Sequence, residues 1–591
     1  MKVNTVRNRI LLFPLQQEGH IQMRTAKLIS WALFSLFLAL GGLSAYAQAN
    51  SEVTGIVTDQ TGAVVAGAHL TLTDPATGLT KTTDSGPTGL YDIAGLNPAS
   101  YNLKVTAKGF ERFEQHGIQV YVSGTFRIDV KLAVGAENQT ITVEADALQV
   151  QTDSNVVSTL VSAEQISEIA TQNRNFAALA AMGLGVSSGL PDNNTPMAGA
   201  GGSSFTLSAN GLRQSHNIWL IDGGESDDRG GAGGMALMPP QDSIAEFNML
   251  SSNYPPDYGI SSGATFSLSI KSGTQKFHGT AYEFNRNTAY DANSFMNHFN
   301  GANNPRTKLD YNVYGFNIGG PAYIPGVYNK NKDKTFFFVN EEWRNIKQGT
   351  SVNTQNTLPT ADIPSASTDL KYVSPLFASV NGQKNYYGPT AGIIVPEASM
   401  VADPAYQAKL TALGLTPGQP FPNNTIPHQL FDANMVAYLN AGVLPKPSTA
   451  TGQSVESVPA PIKVRDDIVR VDHKINDKWQ LLAHYLHEND IDQNGQSFLG
   501  WDWSSYRTIN SSEVSPSYSG AIKISGTLSP NLLVEGSVNY DSNQIAIINS
   551  KNSSTPSGWN VKSFFNNGRT TELPGMSGFG NPYGTGEQMG S

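Results

Sequence analysis

The chain of 591 residues has no cysteine, which excludes a disulfide framework, thiolate-held zinc, an iron–sulfur cluster and a cysteine nucleophile. It is also poor in charge. Only 15% of its residues are Asp, Glu, Lys or Arg, against roughly 25% in an ordinary soluble domain. With 38 basic and 48 acidic residues the net charge is −10, which argues against nucleic acid as a partner. Beyond the amino terminus no apolar run is long enough to cross a bilayer as a helix, so any later membrane residence must use β-strands. Catalytic signatures are missing as well. There is no Gly-x-Ser-x-Gly elbow and no His-Glu-x-x-His pair. His484 and His487 fall on opposite faces of a predicted strand, as do Glu341 and Glu342, so neither pair can act together. No catalytic residue, cofactor or metal is assigned, and the chain reads as a non-enzyme.

What is present begins with an address. Arg24 and Lys27 precede the apolar run Leu28 to Leu43, and Ala45-Tyr46-Ala47 follows, the charged, apolar and small-residue order of a secretory signal. Cleavage is expected after Ala47. The run of about 16 residues, broken by Gly41-Gly42, is short of the roughly 20 a spanning helix needs. Residues 1–47 are read as an N-terminal extension and signal peptide, with Met23 a more conventional start than Met1.

Residues 48–134 show short alternating strands around Val53, Gly55 and Val57, Leu70 and Leu72, and Tyr101, Leu103 and Val105. Turns fall at Asp59-Gln60-Thr61-Gly62, Asp74-Pro75 and Asp84-Ser85-Gly86-Pro87, where Gly supplies positive φ and Pro pre-sets it. A small β-sandwich is predicted. Over 135–275 the pattern is mixed. Thr140-Ile141-Thr142-Val143-Glu144-Ala145 is an extended alternation able to add to a sheet edge. Ser162 and Gln165 form a capping box before a helix carrying Ile166 and Ile169, and a second helix is predicted from Arg174 to Met182. Phe205 to Ser208 and Asn217 to Asp222 read as strands, and Gly223 to Gly234 as a mobile loop.

From 276 to 591 the alternation lengthens. Ile522, Ile524, Gly526 and Leu528 alternate with Lys523, Ser525 and Thr527. After Ser529-Pro530-Asn531, Leu532, Val534, Gly536, Val538 and Tyr540 alternate with polar residues. A second hairpin runs from Asp467 to His487 about a turn at Asn476-Asp477. Asn356 to about Pro461 is long, Pro-rich and weakly periodic, and is read as an external loop. Short turns on one side and long loops on the other are the asymmetry of a transmembrane barrel.

Two resemblances follow from motifs in order. Gly55-Ile56-Val57-Thr58-Asp59, Gly62 to Ala68, and Gly89-Leu90-Tyr91-Asp92-Ile93 with Gly95-Leu96, Tyr101 and Gly109-Phe110 resemble the carboxypeptidase regulatory-like domain, a non-catalytic sandwich, which implies a binding or spacer module. Asn210-Gly211-Leu212-Arg213, Leu220-Ile221-Asp222-Gly223, and Pro239 to Phe247 with Tyr258-Gly259 resemble the plug of TonB-dependent outer-membrane receptors. Lys271-Ser272-Gly273-Thr274, Phe277 to Thr280, Gly319-Gly320-Pro321 and Lys334 to Asn340 are similar to the Oar-like subgroup of those receptors.

The likeness implies a mainly β protein: an N-terminal β-sandwich, an α+β plug, and a partial antiparallel transmembrane β-barrel. It places Thr140, Ile141, Thr142, Val143, Glu144 and Ala145 as a candidate TonB box and Asn210, Gly211, Arg213, Asp222 and Gly223 as a plug motif. The implied partners are a TonB-type periplasmic protein, outer-membrane lipid and an external ligand, whether glycan, peptide or siderophore, with the protein exported to the Gram-negative outer membrane. Only seven or eight strands are countable from 277 to 591, whereas such receptors close about 22, so the barrel is expected to be incomplete. A secreted or surface carbohydrate-binding adhesin is the alternative.

Overall fold

The computed structural model describes residues 51–135, 140–144, 154–188, 207–228, 234–298, 306–348, 353–356, 363–371, 395–441, 446–448, 453–456, 460–492, 512–548 and a few short pieces beyond, apart from scattered positions within these spans. The predicted signal segment lies outside them.

The first body is the expected sandwich. One sheet centres on β1 (Ser51–Asp59). The strands that follow are β2 (His69–Thr73), β3 (Thr80–Asp84), β4 (Leu90–Leu96), β5 (Ala99–Thr106), β6 (Arg112–Val120), β7 (Thr125–Arg127) and β8 (Val130–Leu132). β1 pairs antiparallel with β4 and parallel with β7 and β8. The second sheet runs β3-β2-β5-β6 and ends on β9 (Thr140–Glu144). Period-two alternation builds the core, because Val53, Val57, Leu70, Leu72, Ile93, Leu103, Val105 and Ile118 all turn inward and are fully buried. Each such side chain contributes on the order of 1.5–3 kcal/mol. The first turn closes as its chemistry demands: Asp59 Oδ1 accepts from the Thr61 and Ala63 amides at 2.8 and 2.9 Å, and Gly62 takes φ 88°.

The second body is a five-stranded sheet built from β10 (Val157–Val161), β13 (Ile218–Ile221), β14 (Gly224–Glu225), β15 (Ile244–Ser252) and β16 (Thr265–Ile270), in the order β10-β15-β16-β13-β14. A small pair, β11 (Val186–Ser188) and β12 (Leu207–Ala209), accompanies it. Trp219 stacks on Phe266 at 4.2 Å, and Phe176 meets Trp219 and Phe247 edge-on. The capping box forms as predicted, ahead of the helix Ala163–Glu168. Two expectations need correction. The helix predicted from Arg174 to Met182 contracts to Ala177–Ala180, because Arg174 adopts φ 55° and the Asn175 side chain caps the chain at Ala177. The stretch from Gly223 to Gly234 is not one loop. Gly224–Glu225 pairs with Leu220 and Ile221, and buried Asp227 accepts the Trp219 amide at 3.0 Å.

The third body is an antiparallel sheet of long strands: β17 (His278–Asn287), β18 (Leu309–Pro321) and β19 (Thr335–Gln348). An excursion carrying β20 (Asn353–Asn356), β21 (Leu370–Lys371), β22 (Thr425–Ile426) and β23 (Gln453–Glu456) follows. The sheet then resumes with β24 (Ala460–Lys474), β25 (Trp479–Asp492), β26 (Ser512–Ser529), β27 (Leu532–Asn543) and β28 (Ala546–Ile548). Neighbours in sequence are neighbours in the sheet, and β28 pairs with β26. Eight strands join in this sheet among the described residues, in line with the count from sequence, and its edges β17 and β27 do not pair with each other. Only residues 475–478 and 530–531 separate β24 from β25 and β26 from β27, whereas 349–459 and 493–511 intervene at the opposite end. The long excursion is more than a loop: its helix Pro404–Ala412 belongs to a small lobe where Val395, Leu410, Phe421 and Leu430 form a core, and a second helix, Ala433–Asn440, buries Tyr438.

Candidate functional site

The long sheet is inverted relative to a water-soluble protein. On one face Tyr314, Phe316, Ile318, Val469, Tyr485, Ile522, Val538 and Tyr540 are exposed, Val538 by 75%. On the other, Asn340, Glu342, Arg344, Asp466, Arg470, His484, Glu488, Ser517 and Lys523 are buried. An apolar outer row and a polar inner row are what strands need when one side meets lipid and the other a polar interior.

The polar face is covered by the second body. Phe338, Ile468 and Leu486 of the wall join the core around Trp219. Toward the C-terminal end of β17, the Arg174 guanidinium lies 3.8 Å over the Phe284 ring and is bonded to Asp242, while Arg286 donates to Asn173 at 2.8 Å. Within the wall Arg344 reaches Asp466 at 2.5 Å and Glu488 at 3.3 Å.

The tightest seat is at Asp222. This residue follows β13 with φ 49°, a left-handed conformation that Asp tolerates better than most, and Gly223 continues the turn at φ 87°. Asp222 Oδ1 accepts from Arg470 Nη1 at 2.9 Å and from the Ile270 amide at 3.1 Å, and Oδ2 lies 2.8 Å from His484 Nδ1. Burial alone would raise the Asp222 carboxyl, but Arg470, His484 and the Ile270 amide outweigh it and hold it well below the ordinary carboxylate range. Arg470 also forks onto Asp472 with two contacts of 2.9 Å. Asp472 is in turn bonded by Ser272 at 2.7 Å and by Asn97 of the sandwich at 3.1 Å. One wall carboxylate thus ties three bodies together.

The predicted plug-motif residues divide. Asp222 and Gly223 sit at this seat. Asn210 and Gly211 make a left-handed turn at the opposite end of the plug sheet, where Asn210 Nδ2 donates to the Ser251 carbonyl at 2.7 Å. Exposed Arg213 precedes the short turn Gln214–His216. Arg470, His484 and Asp472 were missed; their one signal is that they fall on the row opposite the apolar one. His484 and His487 do take opposite faces, the latter bonding Asp467 at 2.9 Å.

The sandwich docks at the short-turn end. Lys474 donates to Thr80 at 2.9 Å, Val122 donates its amide to Glu246, and Asn248 donates to the Val122 carbonyl at 3.0 Å. Burial pushes Glu246 up to about 7, only partly offset by the Val122 amide. Of the candidate TonB box, Thr140–Glu144 forms β9, running parallel to β6, and Ala145 lies outside the described residues.

A lipid-facing antiparallel wall with a separate sheet seated on its polar face defines a plugged outer-membrane β-barrel protein. The family described as outer membrane beta barrel domain matches residues 269–591, and the carboxypeptidase regulatory-like domain matches 52–133. The chain belongs to the outer membrane beta barrel domain family, which places it in the Gram-negative outer membrane. Among curated proteins it is 24% identical over 252 residues to the TonB-dependent transporter Oar of Myxococcus xanthus, covering 41% of this chain and 22% of the relative, so the chain spans about a fifth of the length of the curated relative it matches. Among solved structures, the outer membrane transporter YddB from Escherichia coli is 10% identical with a TM-score of 0.37, covering 65% of this chain and 38% of that one. The siderophore receptor PirA from Acinetobacter baumannii is 12% identical with a TM-score of 0.31, covering 66% and 44%.

Proposed function

We propose that this chain serves a receptor that takes an external ligand through a plugged barrel, driven by a TonB-type periplasmic partner that pairs with the strand at Thr140 to Ala145. The observation that carries the reading is the seat at Asp222, where a plug carboxylate is buried against wall residues Arg470 and His484. Such a plug blocks the interior at rest and can be displaced only by work done on it. The short-turn end, which in outer-membrane barrels faces the periplasm, carries the sandwich and β9 within reach of that partner. The lobe at 395–441 sits on the long-loop side, where ligand selectivity resides, and the ligand is a glycan, peptide or siderophore.

The test is binding of the purified periplasmic domain of a TonB-type protein to the detergent-purified chain, with and without residues 140–145. Loss of binding with heat-modifiable migration retained supports the reading. Unchanged binding removes the strand assignment.

A further inference from the structure

The strand at 140–144 is already in use. Its five residues ladder onto the first half of β6, from Arg112 beside Thr140 to His116 beside Glu144, and it forms the last strand of that sheet. The side chains hold it only partly, since Ile141 and Val143 remain 36% and 39% exposed. What remains is a short parallel ladder of main-chain bonds, the slightly weaker of the two ladder types. Main-chain bonds of this kind can be replaced by those of another strand.

The sandwich that holds the strand is itself fixed to the wall. Asn97 donates to Asp472, and Thr80 accepts from Lys474, both on β24. While β9 stays on β6, a pull on it is therefore spread over the sandwich's contacts with the wall and with Glu246 and Asn248 of the plug. The plug lies downstream of β9 in the chain, its first strand opening at Val157, and takes the pull directly through the chain only once β9 has left the sandwich.

From this we infer that the β6 edge is an inhibitory parking site: the sandwich and the TonB-type partner compete for the main chain of Thr140–Glu144, and the released strand pulls on the plug through the chain rather than through the docked sandwich. The inference rests on the proposed pairing of this strand with that partner and adds its regulation.

Because the chain has no cysteine, a disulfide can be introduced on a clean background. Gln115→Cys with Val143→Cys joins two residues paired in register, and Glu114→Cys with Thr142→Cys is a second pair should the first fail to close or fold. Bond formation is read by mass and folding by heat-modifiable migration. The probe is the purified periplasmic domain of the TonB-type protein, titrated against the full chain in detergent. Competition predicts that the oxidised protein binds about tenfold or more weakly than the same sample after reductant, since apparent affinity scales with the fraction of strand available, whereas each single-cysteine variant binds equally with and without reductant. Equal binding in both redox states, with binding abolished by deleting 140–144, overturns the parking site and leaves the strand assignment standing. Binding that survives the deletion overturns the assignment and the inference with it.

Discussion

Asp222 and Arg470 stand 248 positions apart in sequence and meet at 2.9 Å, both almost wholly buried. One belongs to the plug and the other to the wall, so the pair measures how firmly the two are joined. Arg470→Met leaves the Asp222 carboxylate buried with His484 as its nearest side-chain partner. Removing one member of a buried ion pair costs on the order of 3–5 kcal/mol, and the variant should unfold at lower temperature and expose its plug to limited proteolysis. Asp222→Asn should act in the same direction. Because the two residues share one network, the double variant Asp222→Asn/Arg470→Met should cost clearly less than the sum of the singles. Additive losses in thermal unfolding would show that the contact is not a joint.

Glu246 makes the docking of sandwich and plug sensitive to pH. Its carboxyl is pushed up to about 7 by burial from an ordinary value of 4.5, so the folded protein holds this proton more tightly than the unfolded chain. The stabilisation is fully present below 4.5 and is lost as pH rises through about 7. The melting temperature in detergent should fall between about pH 4.5 and pH 7, and Glu246→Gln should flatten that slope. An unchanged slope in the variant assigns the pH dependence elsewhere.

Gly273 marks where the plug hands over to the barrel. A Cβ at this position would lie 2.4 Å from the Phe337 carbonyl oxygen and 2.5 Å from that of Gly320, both main-chain atoms of paired wall strands that cannot step aside singly. Gly273→Ala should destabilise the protein by about 1–3 kcal/mol, in the range of overpacking. Thermal unfolding beside Gly62→Ala, a turn position with open space but φ 88°, separates steric overlap from backbone strain.

Local patterns in the sequence carried much of this architecture. Ile522 and Lys523 separate onto outer and inner faces because strand side chains alternate with period two, and the structure leaves the first 57% exposed and buries the second. Ser162 and Gln165 find each other three residues apart, as a capping box must. Contacts set by tertiary register were not legible. His484 read as an ordinary strand histidine because its partner, Asp222, lies 262 positions away, and nothing local records which plug residue faces it. Thr140–Glu144 read as an extended segment, but its parallel pairing with β6 needs a crossover through β7 and β8 that leaves no mark in its own residues. The lobe at 395–441 was hidden by its prolines and short helices, whose apolar residues meet only in three dimensions.

The central claim is that the apolar rows of the long sheet face acyl chains while the polar rows face the plug. A single cysteine placed in turn at Ile522, Lys523, Ile524, Val538 and Asn539, labelled with an environment-sensitive fluorophore in reconstituted vesicles, tests it directly through quenching by nitroxide-bearing lipids. The account predicts strong quenching at positions 522, 524 and 538 and little at 523 and 539. Quenching that does not alternate, or water-soluble quenchers reaching the 522, 524 and 538 labels as readily as the lipid-borne one, would contradict it.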